Sequence, residues 1–100
     1  MPEEVSNPVN RYPFDIRSAS LLLDALSNPV RLGIAQLLSK EHLTVASLAA
    51  RLEMSPAAIS QHLQKMRAAK IVGTERNGQT IIYSLPLHSE ARKLMDAIDL

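Results

Sequence analysis

Apolar residues recur at helical spacing along most of the chain, and the gaps between these runs carry the residue types that start and stop helices. The first run, over 16–27, holds Leu21, Leu22, Leu23, Ala25 and Leu26. It must end before Pro29, because proline disfavours a helical residue in front of it. Asn28-Pro29 then opens a second helix, with Asn as N-cap and Pro in the first turn. Val30, Ile34, Leu37 and Leu38 give that helix a stripe running to about residue 40. Thr44 reads as the cap of a short third helix ending near Leu52, with Leu43 and Leu48 placed as a hydrophobic staple. Ser55-Pro56 repeats the device, and Met54 can staple to Ile59. A short helix, a tight connection around Glu53-Met54 and a capped second helix outline a helix-turn-helix unit.

Beyond residue 70 the period changes. "IVGTERNGQTIIYSL" places Asn77-Gly78, a two-residue hairpin signal, between two β-prone runs. Pro86 is then expected to restart helix. Leu87, Ala91, Leu94 and Ile98 fall at i, i+4, i+7 and i+11, a narrow apolar stripe on a charged helix that suits a dimer seam. The expected fold is mainly α with a small β-hairpin, in the order ααααββα. Residues 1–14 contain Pro2, Pro8, Pro13, Asn7 and Asn10, which predicts a flexible N-terminal arm ahead of one domain over 15–100. Tyr12 and Phe14 are placed to dock that arm on a surface, and a frayed terminus is the plainer alternative.

Composition narrows the function classes. At 100 residues, 46% hydrophobic and 21% charged, the chain has the make-up of one ordinary globular domain with an aliphatic core, since it holds only three aromatics. No apolar run approaches a membrane span and the opening Met1-Pro2-Glu3-Glu4 is acidic where a secretion signal would be basic, so a cytoplasmic protein is expected. Cysteine is absent, which excludes disulfides and thiolate metal sites. The net charge of +1 conceals a division. Residues 51–80 carry five basic side chains (Arg51, Lys65, Arg67, Lys70, Arg76) against two acidic ones (Glu53, Glu75), and the segments on either side are each slightly negative. A partner meets local charge, so the middle of the chain is where an anionic polymer would bind.

That basic segment contains the helix opened by Ser55. With Ile59 set to zero and about 100° advanced per residue, Leu63 and Met66 fall within roughly 40° of it and form the buried side. Ala57, Gln61, Gln64 and Ala68 point the other way, with Ser60 and Lys65 on the flanks and Ala57-Ala58 keeping the first turn slim. Small side chains allow close approach to a groove. Gln can pair bidentately with adenine, Ser can bond a base edge or phosphate, and Lys neutralises phosphate. A solvated helix whose amides do nothing is the bland alternative. A hairpin tip carrying Arg76, Asn77 and Gln79 follows directly, and the pairing favours DNA.

"LTVASLAARLEMSPAAISQHLQKMRAAKIVGTERNGQTIIYSL" resembles the ArsR/SmtB family of bacterial winged helix-turn-helix repressors. "ALSNPVRLGIAQLL", residues 25–38, is similar to the family's second-helix signature, and "SQHLQKMRAAKIV", residues 60–72, to its recognition helix and following strand. "SQHL" and "NGQTIIYS" are closest in wording to the NolR-type members that lack metal-binding cysteines. The resemblance implies a homodimer, joined through Leu22 on the first helix and Leu87, Ala91, Leu94 and Ile98 at the last, on a palindromic double-stranded DNA operator. It implies base and phosphate contacts from Ser55, Ala57, Ala58, Ser60, Gln61, Gln64 and Lys65, with Arg76, Asn77 and Gln79 in the wing.

Many members sense metals, yet the positions matching the family's thiolate pair are Thr44 and Ala46. The region matching the last-helix site begins Leu87-His88-Ser89 and ends before its far ligands. Neither ligand set is expected to be present, so no metal or other cofactor is assigned, and nothing identifies a small-molecule inducer. His62 lies near the core direction, and His42 and His88 have no partner at ligand spacing. An enzyme is not expected: Ser60 and His62 point to different sides of their helix and no acid completes a triad. Two alternatives stand beside the DNA-binding regulator. One is a winged-helix module that binds protein, and the other is a metal sensor with a non-standard site.

Overall fold

The computed structural model describes residues 15–87 and 89–98. The arm expected over 1–14, with Tyr12 and Phe14, and the residue His88 lie outside the described part. Within it the chain runs α1 (Ile16–Leu26), α2 (Pro29–Leu38), β1 (Leu43–Thr44), α3 (Val45–Leu52), α4 (Pro56–Ala68), β2 (Gly73–Asn77), β3 (Thr80–Ser84) and α5 (Glu90–Ile98).

Each of the first four helices begins on a side-chain cap. Asp15 accepts from the Arg17 N–H at 3.0 Å. Its exposed carboxyl is held below the usual carboxylate range by the Ser18 hydroxyl first and the Arg17 N–H second. Asn28 accepts from both Val30 and Arg31, Thr44 from Ser47, and Ser55 from Ala58. These bonds satisfy amides that a helix start leaves without partners.

α3 and α4 also end alike. Glu53 (φ 55°) and Lys70 (φ 59°) adopt the left-handed conformation. Met54 N–H then reaches back to the Ala49 carbonyl, and Ile71 N–H to that of Met66. Both are Schellman closures, and in both a non-glycine residue bears the Cβ strain that glycine would avoid. The first forms the turn between α3 and α4. The second swings the chain from α4 into the hairpin.

The hairpin differs from expectation by one position. Asn77 pairs with Thr80 across the strands, so the loop residues are Gly78 and Gln79 rather than Asn77 and Gly78. Gly78 has φ +67° and Gln79 is not in the positive-φ region. A type II′ turn asks for that combination, glycine first and an ordinary residue second. The sheet also has a third strand that the sequence pattern does not announce. Leu43 and Thr44 pair antiparallel with Tyr83 and Ile82, giving the order β1-β3-β2. Two residues carry no legible alternation, and Leu43 is buried whether it staples a helix or joins a sheet.

A second correction concerns the last helix. It begins at Glu90, not at Pro86, because Ser89 takes the capping position: its hydroxyl accepts from Arg92 N–H at 3.1 Å and donates to the Pro86 carbonyl. Leu87 therefore precedes the helix and is 68% exposed.

The core is aliphatic, gathered from all five helices and the sheet: Ile34, Leu38, Leu48, Ile59, Leu63, Met66, Ile71 and Leu85 are its largest fully buried members. α5 joins it through Ala91 and Met95. Arg92 locks that helix down, donating to the Ser39 carbonyl at 2.7 Å and the Leu85 carbonyl at 2.9 Å. Among the described residues no helix is long and apolar enough to cross a membrane.

Candidate nucleic-acid interface

α4 turns one face wholly inward. Ile59, Leu63 and Met66 are between 0 and 1% exposed, as the helical wheel requires. The opposite face is open: Ser55, Ala57, Ser60, Gln61, Gln64 and Lys65 are all exposed, and Ala58 is half-buried. The side chains of Ser60, Gln61, Gln64 and Lys65 make no hydrogen bond or ion pair within the described residues. Their donors and acceptors are therefore committed to solvent or to a partner. Ser55 is different, since its oxygen accepts the Ala58 amide at 3.1 Å. Its hydroxyl hydrogen stays available, so one residue can cap the helix and still donate to a phosphate.

Around this face basic side chains outnumber the two exposed acidic ones, Glu53 in the α3–α4 turn and Glu75 on β2. Lys65, Arg67 and Lys70 are exposed along the C-terminal half of α4 and just beyond it. The β2–β3 hairpin adds Arg76, Asn77 and Gln79, all exposed at or beside its tip. From Thr74 to Asn77 no residue of β2 is buried, so this strand and the tip of the hairpin are open to solvent, while β3 is anchored on the core through Tyr83 and Ile81. A helix whose free face bears amides and small residues, with basic side chains along its C-terminal half and an arginine near the tip of the hairpin beside it, is able to present donors to base edges and cations to phosphates together.

The residues expected at a dimer seam are scattered by the structure. Ala91 is 1% exposed and packs in the protomer's own core, Leu22 and Leu94 are half-buried against that core, and Ile98 is 39% exposed. Sequence reasoning missed Leu21 and Leu23 as surface residues, counting them only among the apolar positions of the first helical run. They are 60% and 57% exposed on α1. The spacing held the signal, because three successive leucines cover about 200° of a helix and cannot all face one core. Leu21 and Leu22 line a cleft of about 600 Å³ together with Ala68–Ile71 at the end of α4 and Ser89, Glu90 and Ala91 at the start of α5, so α1, α4 and α5 all border one open space.

No three His, Cys, Asp or Glu side chains gather into a metal-binding group among the described residues. His42 is exposed, and His62 is half-buried with its Nδ1 3.2 Å from Arg31 Nη1.

Residues 28–74 match the family model of the bacterial regulatory proteins of the arsR family. The chain is 46% identical over 70 residues to the nodulation protein NolR of Rhizobium meliloti, a match covering 70% of this chain and 57% of NolR. It is 38% identical over 87 residues to the transcriptional activator HlyU of Vibrio cholerae, covering 85% of this chain and 81% of HlyU. The crystal structure of NolR from Sinorhizobium fredii superposes with a TM-score of 0.76 at 36% identity, over 99% of this chain and 90% of that one. The match to the Rhizobium protein thus spans little more than half of that relative's length.

Proposed function

Because the chain belongs to the arsR family of bacterial regulatory proteins, winged helix-turn-helix transcription regulators rather than enzymes, we propose that it binds a two-fold symmetric DNA operator as a homodimer and represses transcription there. α4 enters the major groove, Gln61 and Ser60 read base edges, and Ser55 and Lys65 hold phosphates. Arg76, Asn77 and Gln79 at the wing add backbone or minor-groove contacts. α1 and the α5 end of the molecule form the dimer contact. Residues 15–98 supply both functions, reading and pairing, and residues 1–14 are an accessory arm. Binding and release take place without a family-type metal site, in the cytoplasm.

The observation that carries this reading is the open face of α4, uncharged at its centre, cationic at its edge and with Ser60, Gln61, Gln64 and Lys65 free of internal hydrogen bonds, set against a fully buried opposite face. A solvated helix face has no need for that layout, whereas a groove reader requires it.

Gln61→Ala is the direct test. Wild type and variant are titrated, at one salt concentration, with a duplex recovered from a randomised library and with a scrambled duplex. The variant should lose about 1–3 kcal/mol on the recovered duplex and almost nothing on the scrambled one. An unchanged ratio of the two affinities removes α4 as the reader. A winged helix that binds protein instead would show no preference between the duplexes even as wild type.

A further inference from the structure

One guanidinium fastens the reading helix to two others. Arg31 occupies the first turn of α2, three residues after the Asn28 cap. Its Nε donates to the Ala25 carbonyl in the last turn of α1 at 2.5 Å, and its Nη1 donates to His62 Nδ1 on α4 at 3.2 Å. Arginine has no acceptor, so in this bond Nδ1 of His62 is the accepting atom. A cation in the first turn of α2 opposes that helix's own dipole, while the same charge at the C-terminus of α1 favours it. The position is explained by what the side chain reaches, not by the helix that bears it.

His62 is next to Gln61. Ile59, Leu63 and Met66 hold α4 by burial, which is strong but non-directional, so packing limits how far the helix can roll without fixing its angle as tightly as a hydrogen bond would. A roll of roughly 10° moves a side-chain atom about 6 Å from the axis by about 1 Å, enough to stretch an amide–base contact beyond hydrogen-bonding range. The Arg31–His62 bond is directional and resists that roll.

We propose that Arg31 and His62 are positioning residues for base readout: their hydrogen bond sets the rotation of α4 about its axis, and the Ala25 carbonyl ties that setting to α1, the helix that carries the exposed leucines. The proposal rests on the reading of α4 as the DNA-reading helix. It assigns Arg31 no contact with DNA.

The test measures affinities for the recovered duplex and for a scrambled one, at fixed salt, with thermal melting of every variant. Arg31→Ala and His62→Leu should each lower the ratio of the two affinities by about tenfold or more, about 1.4 kcal/mol, while scrambled-duplex binding by His62→Leu stays at the wild-type level. His62→Asn places a carboxamide oxygen where the ring has Nδ1, so it should recover most of the ratio. A merely structural role would not produce that rescue. The double variant Arg31→Ala/His62→Leu should be no worse than the weaker single, since both remove the same bond. His62→Leu replaces a half-buried residue with an apolar one and keeps the fold even if Arg31→Ala does not. The inference is overturned if His62→Leu retains the wild-type ratio while Gln61→Ala loses it. If Gln61→Ala also retains the ratio, the reading of α4 has failed first, and the inference falls with it.

Discussion

Replacing Leu21 and Leu23 together with alanine should convert a dimer into a monomer without unfolding the chain. The two side chains are 60% and 57% exposed, so the protomer's own core draws little stability from them. Leucine to alanine removes three carbons, worth roughly 2.4 kcal/mol at about 0.8 kcal/mol each when burial is complete. About three-fifths of that, roughly 1.5 kcal/mol per residue, remains to be gained when a second copy covers the surface. An isologous contact uses each residue twice, so four leucines contribute about 6 kcal/mol, or roughly four orders of magnitude in the dimer dissociation constant. Sedimentation equilibrium across nanomolar to high micromolar concentrations reads this directly. Wild type should run at twice 11.0 kDa and the double variant at 11.0 kDa, with closely similar circular-dichroism melts once both are compared as monomers. A wild type that stays at 11.0 kDa at micromolar concentration refutes the reasoning. So does a double variant whose dissociation constant is unchanged, because α1 would then not be in the contact.

Arg76→Ala should weaken binding to recovered and scrambled duplexes by similar factors. It should also flatten the dependence of log affinity on log salt by about 0.9 for each phosphate that the side chain no longer neutralises, measured by anisotropy from about 50 to 200 mM salt. Weakening confined to the recovered duplex would mean that the wing reads sequence. Ser55→Ala removes the acceptor that holds the Ala58 amide and should cost about 1 kcal/mol, a fall of about 4–8 °C in Tm for a domain of this size. An unaltered Tm would show that Ser55 is kept for DNA alone. Zinc, nickel or copper titrated into the preformed DNA complex should change its affinity by less than about tenfold, and a stoichiometric metal with a larger effect would establish a non-standard sensing site.

Helix starts are legible in the sequence because their chemistry is local: Asn28-Pro29, Thr44 and Ser55-Pro56 declare caps that need no tertiary information, and the inward set Ile59, Leu63 and Met66 follows from spacing alone. What escapes depends on distant partners or on competition between local options. Pro86 is an acceptable first helical residue, but Ser89, whose carbonyl accepts from Lys93 N–H, captures the start instead and leaves Leu87 outside the helix. Strand β1 exists because β3 offers an edge, and nothing within Leu43-Thr44 reveals that edge. The loop shifts onto Gly78-Gln79 because one positive-φ position suits a type II′ turn, where Asn77-Gly78 as loop residues would have needed two. Ala91 suits a seam on the wheel because a wheel counts direction and not depth; α5 uses that direction for its own core through Ala91 and Met95. The open face of α4 is visible from spacing, whereas the Arg31–His62 bond joins residues 31 apart in the chain and is not.

The most direct test of the account is selection by the wild-type protein from a library of duplexes with randomised sequence spanning about three helical turns, sequenced over successive rounds at fixed salt. One dimer presenting two α4 helices should enrich a sequence with two-fold symmetry, its half-sites separated by about 10–10.5 base pairs centre to centre or a multiple of that. Recovery of sequences no different from the input, or of a single unsymmetric site bound by one 11.0 kDa chain, would contradict it.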